Sequence, residues 1–98
     1  MFYRMTRLHF AEDRFDELVE LATSLRDRVE GIAGLRFADL IRTGEGEGMI
    51  ISSYHDGLTF QASARAEAGV LDELAALLTS TAHGHEGSVV ISFHGSSG

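Results

Sequence analysis

The sequence predicts an α+β domain whose elements follow the order β-α-β-β-α-β. Two apolar, strand-like segments, Leu35 to Thr43 and Met49 to Tyr54, flank a glycine-acid loop over residues 44–48. Glycine adopts positive φ at little steric cost, so this loop suits the reversal of a β-hairpin. A helix-like segment lies on each side of the hairpin, and a further strand-like segment lies beyond each helix.

The first strand is predicted over Phe2 to Phe10, where both faces mix apolar and polar residues, as in a strand covered on each side. An amphipathic helix follows from Ala11, and Gly31 is placed to end it. Its apolar stripe consists of Phe15, Leu18, Val19, Ala22, Leu25 and Val29.

The second helix is predicted from Leu58 to about Thr79. Gly69 is its weak point, because glycine costs about 1 kcal/mol relative to alanine inside a helix, and we expect a break near Glu67 to Gly69. A polar connection over residues 79–87 follows, and the fourth strand is predicted at Ser88 to His94.

Length and composition limit the classes of function. We expect a single domain over residues 1–95 and a flexible tail at 96–98. A net charge of −7 argues against nucleic acid and anionic membranes as partners, and the absence of cysteine excludes disulfides and thiolate chemistry. The chain shows neither a signal peptide nor an apolar run of about 20 residues, so a cytoplasmic protein is expected.

Four strands and two helices in this order predict a ferredoxin-like, four-stranded antiparallel sheet with both helices on one face. The other sheet face would then expose apolar side chains, which is typical of a partner site. Neighbouring apolar residues that face opposite sides are Leu40 and Ile41, Ile50 and Ile51, and Val89 and Val90. We therefore predict a homodimer that packs through its sheet faces.

The segment from Val29 to Tyr54 carries a resemblance to a known family. It reads as a helix end, Gly-Ile-Ala-Gly-Leu, a strand, a glycine-acid hairpin, and an apolar strand ending Ser-Ser-Tyr-His-Asp. In order and length it resembles the dimeric α+β barrel superfamily, and within it the antibiotic biosynthesis monooxygenase-like family. The resemblance implies a dimeric barrel and a cofactor-independent oxygenase that acts on polycyclic phenols.

Two departures from the family pattern affect this expectation. The third strand of the family commonly ends with Trp, whereas Tyr54 and His55 stand at that place here. Haem-degrading relatives rely on an Asn, a Trp and a His, and this chain contains neither Asn nor Trp. We therefore expect no haem-oxygenase role and no cofactor.

Histidines are the first candidates for chemistry. His55 at the end of the third strand is a candidate general base, because histidine exchanges protons near neutral pH; the alternative is a structural histidine. His83 and His85 lie two residues apart, and a third ligand from His55 or His94 would complete a metal site. No carboxylate or cysteine stands at metal spacing beside them, so an exposed His pair is the favoured interpretation.

Arginine and aromatic residues are the candidates for substrate binding. Arg7 would orient an acidic or phenolic ligand, although an exposed Arg paired with surface acids is the simpler interpretation. Tyr54, Phe37, Phe60 and Phe93 could line a pocket for a flat aromatic molecule, or they could be ordinary core residues.

Three hypotheses for function arise from these residues. The first is a monooxygenase-like enzyme that acts on a small apolar or aromatic molecule in a pocket between sheet and helices. The second is a non-catalytic homodimer that binds a small ligand, for example in a stress response. The third is a purely structural association module whose pocket is filled by side chains.

Overall fold

The computed structural model describes residues 1–96 and confirms the predicted order of elements. The four strands are β1 (Phe2–His9), β2 (Leu35–Gly44), β3 (Glu47–Tyr54) and β4 (His83–Ser88). The helices are α1 (Phe15–Ser24), α2 (Arg26–Glu30) and α3 (Gly57–Leu74), with short 3-10 turns at Glu12–Arg14 and Ala75–Leu77. The predicted tail at 96–98 lies, apart from Ser96, outside the described residues.

The strands form one antiparallel sheet in the order β2-β3-β1-β4, which is the ferredoxin-like arrangement predicted from the sequence. Thr6 pairs with Ile50 and Arg4 pairs with Ser52 in the register between β1 and β3. The helices cover one face of this sheet. Within residues 1–96, no helix is both long and apolar enough to cross a membrane.

The hairpin between β2 and β3 is tighter than predicted, because the strands extend to Gly44 and Glu47. Gly46 takes a φ of 66°, and a Cβ atom there would lie 2.8 Å from the carbonyl oxygen of Phe10. Its backbone N–H donates to the Glu12 carboxylate, while its carbonyl accepts from the Phe10 N–H at 2.9 Å. The glycine therefore lets the turn dock against the end of β1.

The predicted position of the fourth strand is wrong: β4 is His83–Ser88, and residues 89–94 have no regular secondary structure. The Thr79 N–H already donates to the His9 carbonyl at 2.9 Å, so the chain reaches the edge of β1 soon after α3. Antiparallel pairing uses backbone groups, and a polar segment can satisfy the ladder as well as an apolar one. The apolar pattern of residues 89–93 therefore led to a wrong position for the fourth strand.

Both helix predictions need correction in their interiors. The first helix breaks at Leu25, which has a φ of −91° and a ψ of 3° and separates α1 from α2. The break expected near Gly69 is absent, since α3 is continuous. A Cβ atom at Gly69 would lie 3.4 Å from Arg28 Nη2, and Arg28 reaches Glu73 at 3.2 Å. Arg28 thus joins α2 to α3 next to Gly69.

The core lies between the helices and the sheet in two clusters. The first contains Phe10, Leu18, Leu25 and Leu74, and the second contains Ile32, Tyr54 and Phe60. Hydrophobic residues on the opposite sheet face are less well covered, and Met5 and Ile41 are each 39% exposed. The single chain therefore leaves one face of the sheet partly apolar and open to solvent.

Candidate functional site

A cleft of about 630 Å³ lies between the three helices and strands β2 and β3, and we call it the helix–sheet cleft. Its walls are largely apolar and include Phe15, Val19, Ala22, Leu40, Ile50 and Val70. A mostly apolar cleft with a few convergent polar groups is the usual form of a small-molecule site. The polar groups in the cleft therefore determine which ligands it could bind and which reactions it could support.

Glu67 of α3 places a carboxylate in this cleft although its side chain is only 7% exposed. Its Oε1 accepts a hydrogen bond from the Ser52 hydroxyl at 2.8 Å, and its Oε2 accepts one from the Tyr54 hydroxyl at 2.9 Å. Both donors belong to β3 and are buried. Such bonds offset the loss of hydration of a buried carboxylate.

Burial raises the pKa of the Tyr54 hydroxyl far above its ordinary value. The hydrogen bond to Glu67 and the negative charge of Glu67 raise this pKa further, while the positive charge of Arg4 opposes them. Tyr54 therefore stays protonated at neutral pH. It acts as a permanent hydrogen-bond donor to Glu67.

Aromatic contacts fix the ring of Tyr54. Phe60 of α3 meets it edge to face with ring centroids 5.2 Å apart, and Phe60 stacks on Phe2 at 5.0 Å. The Arg4 guanidinium lies 6.0 Å from the centre of the Phe60 ring. The hydroxyl of Tyr54 is consequently held in place by packed aromatic groups as well as by its bond to Glu67.

Three of the predicted substrate-binding residues lie at or near this cleft. Tyr54 and Phe37 border it, and Phe60 packs against Tyr54. The Phe37 ring also meets Tyr3, with centroids 5.9 Å apart. Tyr54 and Phe60 therefore form one aromatic group beside the cleft, whereas the Phe37 ring lies with Tyr3 on the opposite face of the sheet.

Three predicted site residues, His55, Arg7 and Phe93, do not line the cleft. His55 is exposed directly after the last residue of β3. Arg7 is exposed because side chains alternate along a strand and its neighbours Thr6 and Leu8 are buried. Phe93 is 90% exposed in the segment after β4. Their roles in binding or catalysis stay predictions.

Glu67 and Ser52 were missed as site residues by sequence reasoning. Glu67 occupies one position of a helical stripe that is otherwise mostly apolar, formed by Phe60, Ala64, Glu67, Leu71 and Leu74. A single carboxylate inside such a stripe was the available signal, because the stripe faces the core. Ser52 carried no comparable signal, since serines are common on strands with one solvated face.

Among residues 1–96, no three His, Asp or Glu side chains are grouped so that they could hold a metal ion. His83 and His85 lie on β4 rather than in a loop, and both are exposed. They pair across the sheet with Arg7 and Met5, so they share the open face of the sheet. His55 and His94 do not complete a ligand set with them.

Several solved structures share this architecture. A protein of unknown function from Nitrosomonas europaea matches with a TM-score of 0.76 at 14% identity, over 97% of this chain and 94% of that one. An antibiotic biosynthesis monooxygenase matches with a TM-score of 0.73 at 12% identity, over 93% and 100% of the two chains. A mutant of MhuD with two manganese protoporphyrin IX molecules per active site matches with a TM-score of 0.75 at 20% identity, over 97% and 100%.

Neither a protein-family model nor a curated protein matches the sequence. At these low identities, the likeness to solved structures establishes the fold and leaves the activity open. The resemblance identified from the sequence is confirmed at that level. The chain has the ferredoxin-like α+β fold of the antibiotic biosynthesis monooxygenase-like proteins.

Proposed function

We propose that this chain is a cofactor-independent, monooxygenase-like enzyme that oxidises a flat phenolic molecule bound in the helix–sheet cleft, acting as a cytoplasmic homodimer. The observation that carries this proposal is the carboxylate of Glu67, which is 7% exposed inside an otherwise apolar cleft. Buried carboxylates in clefts are frequent general bases, because reduced hydration strengthens their interaction with a substrate proton.

Glu67 has acceptor capacity left for a substrate. A carboxylate offers about four lone-pair sites, and the Ser52 and Tyr54 hydroxyls occupy one on each oxygen. A phenol above Glu67 could donate its proton to a remaining site. Because both hydroxyls donate to Glu67, they also hold its carboxylate in one orientation, which is a requirement of a positioned base.

The proposed reaction needs only the substrate and oxygen. Proton transfer to Glu67 leaves an electron-rich phenolate, whose ring carbon forms a bond to O₂. Cleavage of the O–O bond leaves one oxygen as a new carbonyl and releases the other as water. The reacting ring carbon is a CH₂ group in the keto form of the phenol, and it loses both hydrogens as the C–O bond forms. The substrate therefore supplies all four electrons that reduce O₂ to the carbonyl oxygen and water. The apolar walls of the cleft would accept the rings and exclude water.

Support for a flat ligand also comes from the MhuD mutant, whose active site holds planar porphyrins. Phe15 borders the cleft and offers an aromatic surface for stacking. His55 stays the alternative base in this proposal. Arg7 lies on the open sheet face, opposite to the cleft, so this proposal gives it no contact with the substrate.

The test is oxygen uptake with a panel of anthrones and hydroxylated naphthalenes. We expect the wild-type protein to consume oxygen with at least one member and Glu67→Gln to lower the rate by about 100-fold or more, since a general base contributes that much. Glu20→Gln on the exposed face of α1 is the matched control and should retain the rate.

His55→Ala separates the two candidate bases in the same assay. If His55→Ala is inactive and Glu67→Gln is active, Glu67 is not the base. If no member of the panel supports oxygen uptake, the enzymatic proposal fails.

The alternative function is a homodimer that binds a ligand without turnover. The observation that favours it is that both oxygens of Glu67 already have protein partners, as in a structural network. This alternative predicts that a panel member raises the melting temperature of the protein while no oxygen is consumed.

A further inference from the structure

We call the sheet face that no helix covers the open sheet face. A row of four residues crosses it, one from each strand, because Asp39 pairs with Ile51, Ile51 with Met5, and Met5 with His85. Residues opposite each other in a β-ladder point to the same side of the sheet. Met5 points away from the helices, because side chains alternate along a strand and its neighbour Thr6 is buried. The open sheet face therefore carries an acid at one edge, two apolar residues in the middle and a histidine at the other edge.

Asp39 and His85 cannot meet within one copy of the chain. Two strands lie between β2 and β4, so the two side chains are separated by three strand spacings, roughly 14 Å. Both side chains are exposed, and none of the ion pairs among residues 1–96 involves either of them. Each can therefore meet a group of opposite charge on a second molecule.

The partner that fits this face is a second copy of the chain, as in the proposed homodimer, on which the present inference rests. Met5 is 39% exposed and Ile51 is half-buried, so the centre of the face is apolar. An acid at one edge and a histidine at the other make the face complementary in charge to a copy of itself. Such self-complementarity is what a two-fold interface requires.

Two-fold symmetry leaves two ways of stacking these faces with their strands aligned, as in β-sandwiches. If the axis runs across the strands, β2 lies over β2 of the second copy, so Asp39 meets Asp39 and His85 meets His85. If the axis runs along the strands between β1 and β3, β2 lies over β4 of the second copy. Asp39 then meets His85, and Ile51 meets Met5. Opposite charges attract and like charges repel, so electrostatics favours the second arrangement.

The remaining ionisable groups on the strands of this face leave Asp39 as the negative charge of its central part. Arg7 and His83 pair with each other beside His85 and make this side of the face basic. The groups nearer the ends of the face are Tyr3, His9, Arg36 and Glu47. Of these, His9 pairs with Glu47 across the strands, and the Arg36 guanidinium donates to the Ser53 hydroxyl at 3.1 Å. The basic side of one copy is therefore best matched by Asp39 of the other.

We propose that the homodimer forms with β2 of each copy over β4 of the other, and that ion pairs between Asp39 and His85 tighten it at mildly acidic pH. Histidine gains a proton at about pH 6 to 7, whereas aspartate stays ionised down to about pH 4. Lowering the pH from about 8 to about 6 therefore turns two neutral contacts per dimer into two ion pairs. The dimer dissociates more readily above neutral pH for the same reason.

The test is sedimentation equilibrium of the wild-type protein at about pH 6 and about pH 8. We expect the dissociation constant of the dimer to be about 5- to 30-fold smaller at the lower pH, since two ion pairs form. Asp39→Asn and His85→Gln should each remove this dependence on pH. His83→Gln changes the next residue of β4 on the same face, so it is the matched control and should retain the dependence.

An exchange of charges tests which strands meet. Asp39→Lys alone sets a cation against His85 of the second copy, and His85→Asp alone sets two carboxylates together, so each should weaken the dimer by about 10-fold or more at about pH 6. The double variant with Asp39→Lys and His85→Asp should restore the dimer and make it insensitive to pH, because lysine and aspartate both keep their charges in this range. Both positions are exposed, so circular dichroism should show an unchanged fold.

A double variant that stays monomeric would overturn this arrangement, and so would a wild-type dimer whose dissociation constant is equal at both pH values. Loss of the pH dependence in His83→Gln but not in His85→Gln would also overturn it, since the contact would then lie one row away. A wild-type protein that is monomeric at both pH values would overturn the homodimer as well. Oxygen uptake by the wild-type protein measures the proposed chemistry separately.

Discussion

The Tyr54 hydroxyl of β3 donates a hydrogen bond of 2.9 Å to the Glu67 carboxylate of α3. This contact joins the middle of α3 to the end of β3 across the buried side of the sheet. The same carboxylate also accepts from Ser52, two residues earlier on β3. The stability of the fold and the proposed chemistry of the cleft therefore depend on the same side chain.

Tyr54→Phe should destabilise the protein, because it leaves one oxygen of a buried carboxylate without its donor. A loss of about 1 to 3 kcal/mol in the free energy of unfolding is expected for an unsatisfied group of this kind. Urea denaturation measures it. Tyr3→Phe, at the other tyrosine of the chain, is the control and should have a clearly smaller effect, and equal losses for both variants would contradict the role given to Tyr54.

Alkaline pH should weaken the wild-type fold through Tyr54. Its pKa is raised in the folded state by burial and then by Glu67, whereas tyrosine in an unfolded chain loses its proton near pH 10. Because the folded state holds this proton more tightly, its contribution to stability is complete below about pH 10 and is lost as the pH rises above it. Urea midpoints measured from neutral to alkaline pH should fall less steeply for Tyr54→Phe; identical slopes would refute this.

Thr6→Val should stabilise the unliganded protein. Valine has nearly the same shape as threonine, and it removes a buried hydroxyl that has no hydrogen-bond partner among residues 1–96. Relief of that unsatisfied group should add about 1 to 3 kcal/mol to the free energy of unfolding. Thr43→Val, at an exposed position of β2, is the control and should change stability by no more than about 0.5 kcal/mol. A destabilised Thr6→Val protein would show that the hydroxyl already has a structural partner.

Charged substitutions on the open sheet face should dissociate the proposed homodimer. Met5 and Ile41 are each 39% exposed there in the single chain, and burial of an unpaired aspartate between two sheets is strongly unfavourable. Sedimentation of Met5→Asp and Ile41→Asp should show monomers. Leu58→Asp, at a residue that is 77% exposed at the start of α3, should leave the dimer intact. A wild-type protein that sediments as a monomer at micromolar concentration would refute the dimer.

Gly46→Ala should destabilise the hairpin that joins β2 and β3. Its φ of 66° disfavours residues with a Cβ atom, and that atom would lie 2.8 Å from the Phe10 carbonyl oxygen. We expect a loss of about 1 kcal/mol or more in the free energy of unfolding. Gly87→Ala is the control, because no atom in the described part of the chain lies within 4 Å of a Cβ atom placed there. Comparable losses at both positions would argue against this account of the turn.

The sequence predicted the element order well because local signals agree with it. The glycine-acid loop marked the hairpin, and the stripe that includes Phe15 and Leu18 marked the first helix. Residue patterns gave the wrong secondary structure where contacts with another element determined it. Gly69 suggested a break in α3, but the helix continues through it, and Arg28 of α2 packs beside this position and reaches Glu73.

The candidate site was predictable only in part for the same reason. Tyr54 could be selected as an aromatic residue at a strand end, and it does line the helix–sheet cleft. Its partner Glu67 lies on a different element, and sequence spacing alone does not show which residue a buried carboxylate will meet. The buried Arg4 Nε and Thr6 Oγ1 atoms, which have no hydrogen-bond partner among residues 1–96, are likewise visible only after β4 and α3 have packed around β1.

The order of strands and helices and the apolar faces of the helices follow from periodicity and turn residues, so both could be read from the sequence. The segment that completes the sheet and the polar groups that meet in the interior depend on contacts between distant elements, so they are visible only in the folded chain. Strand pairing is made by backbone atoms that all residues share, so His83–Ser88 could take the place next to β1 that the apolar segment after it was expected to fill.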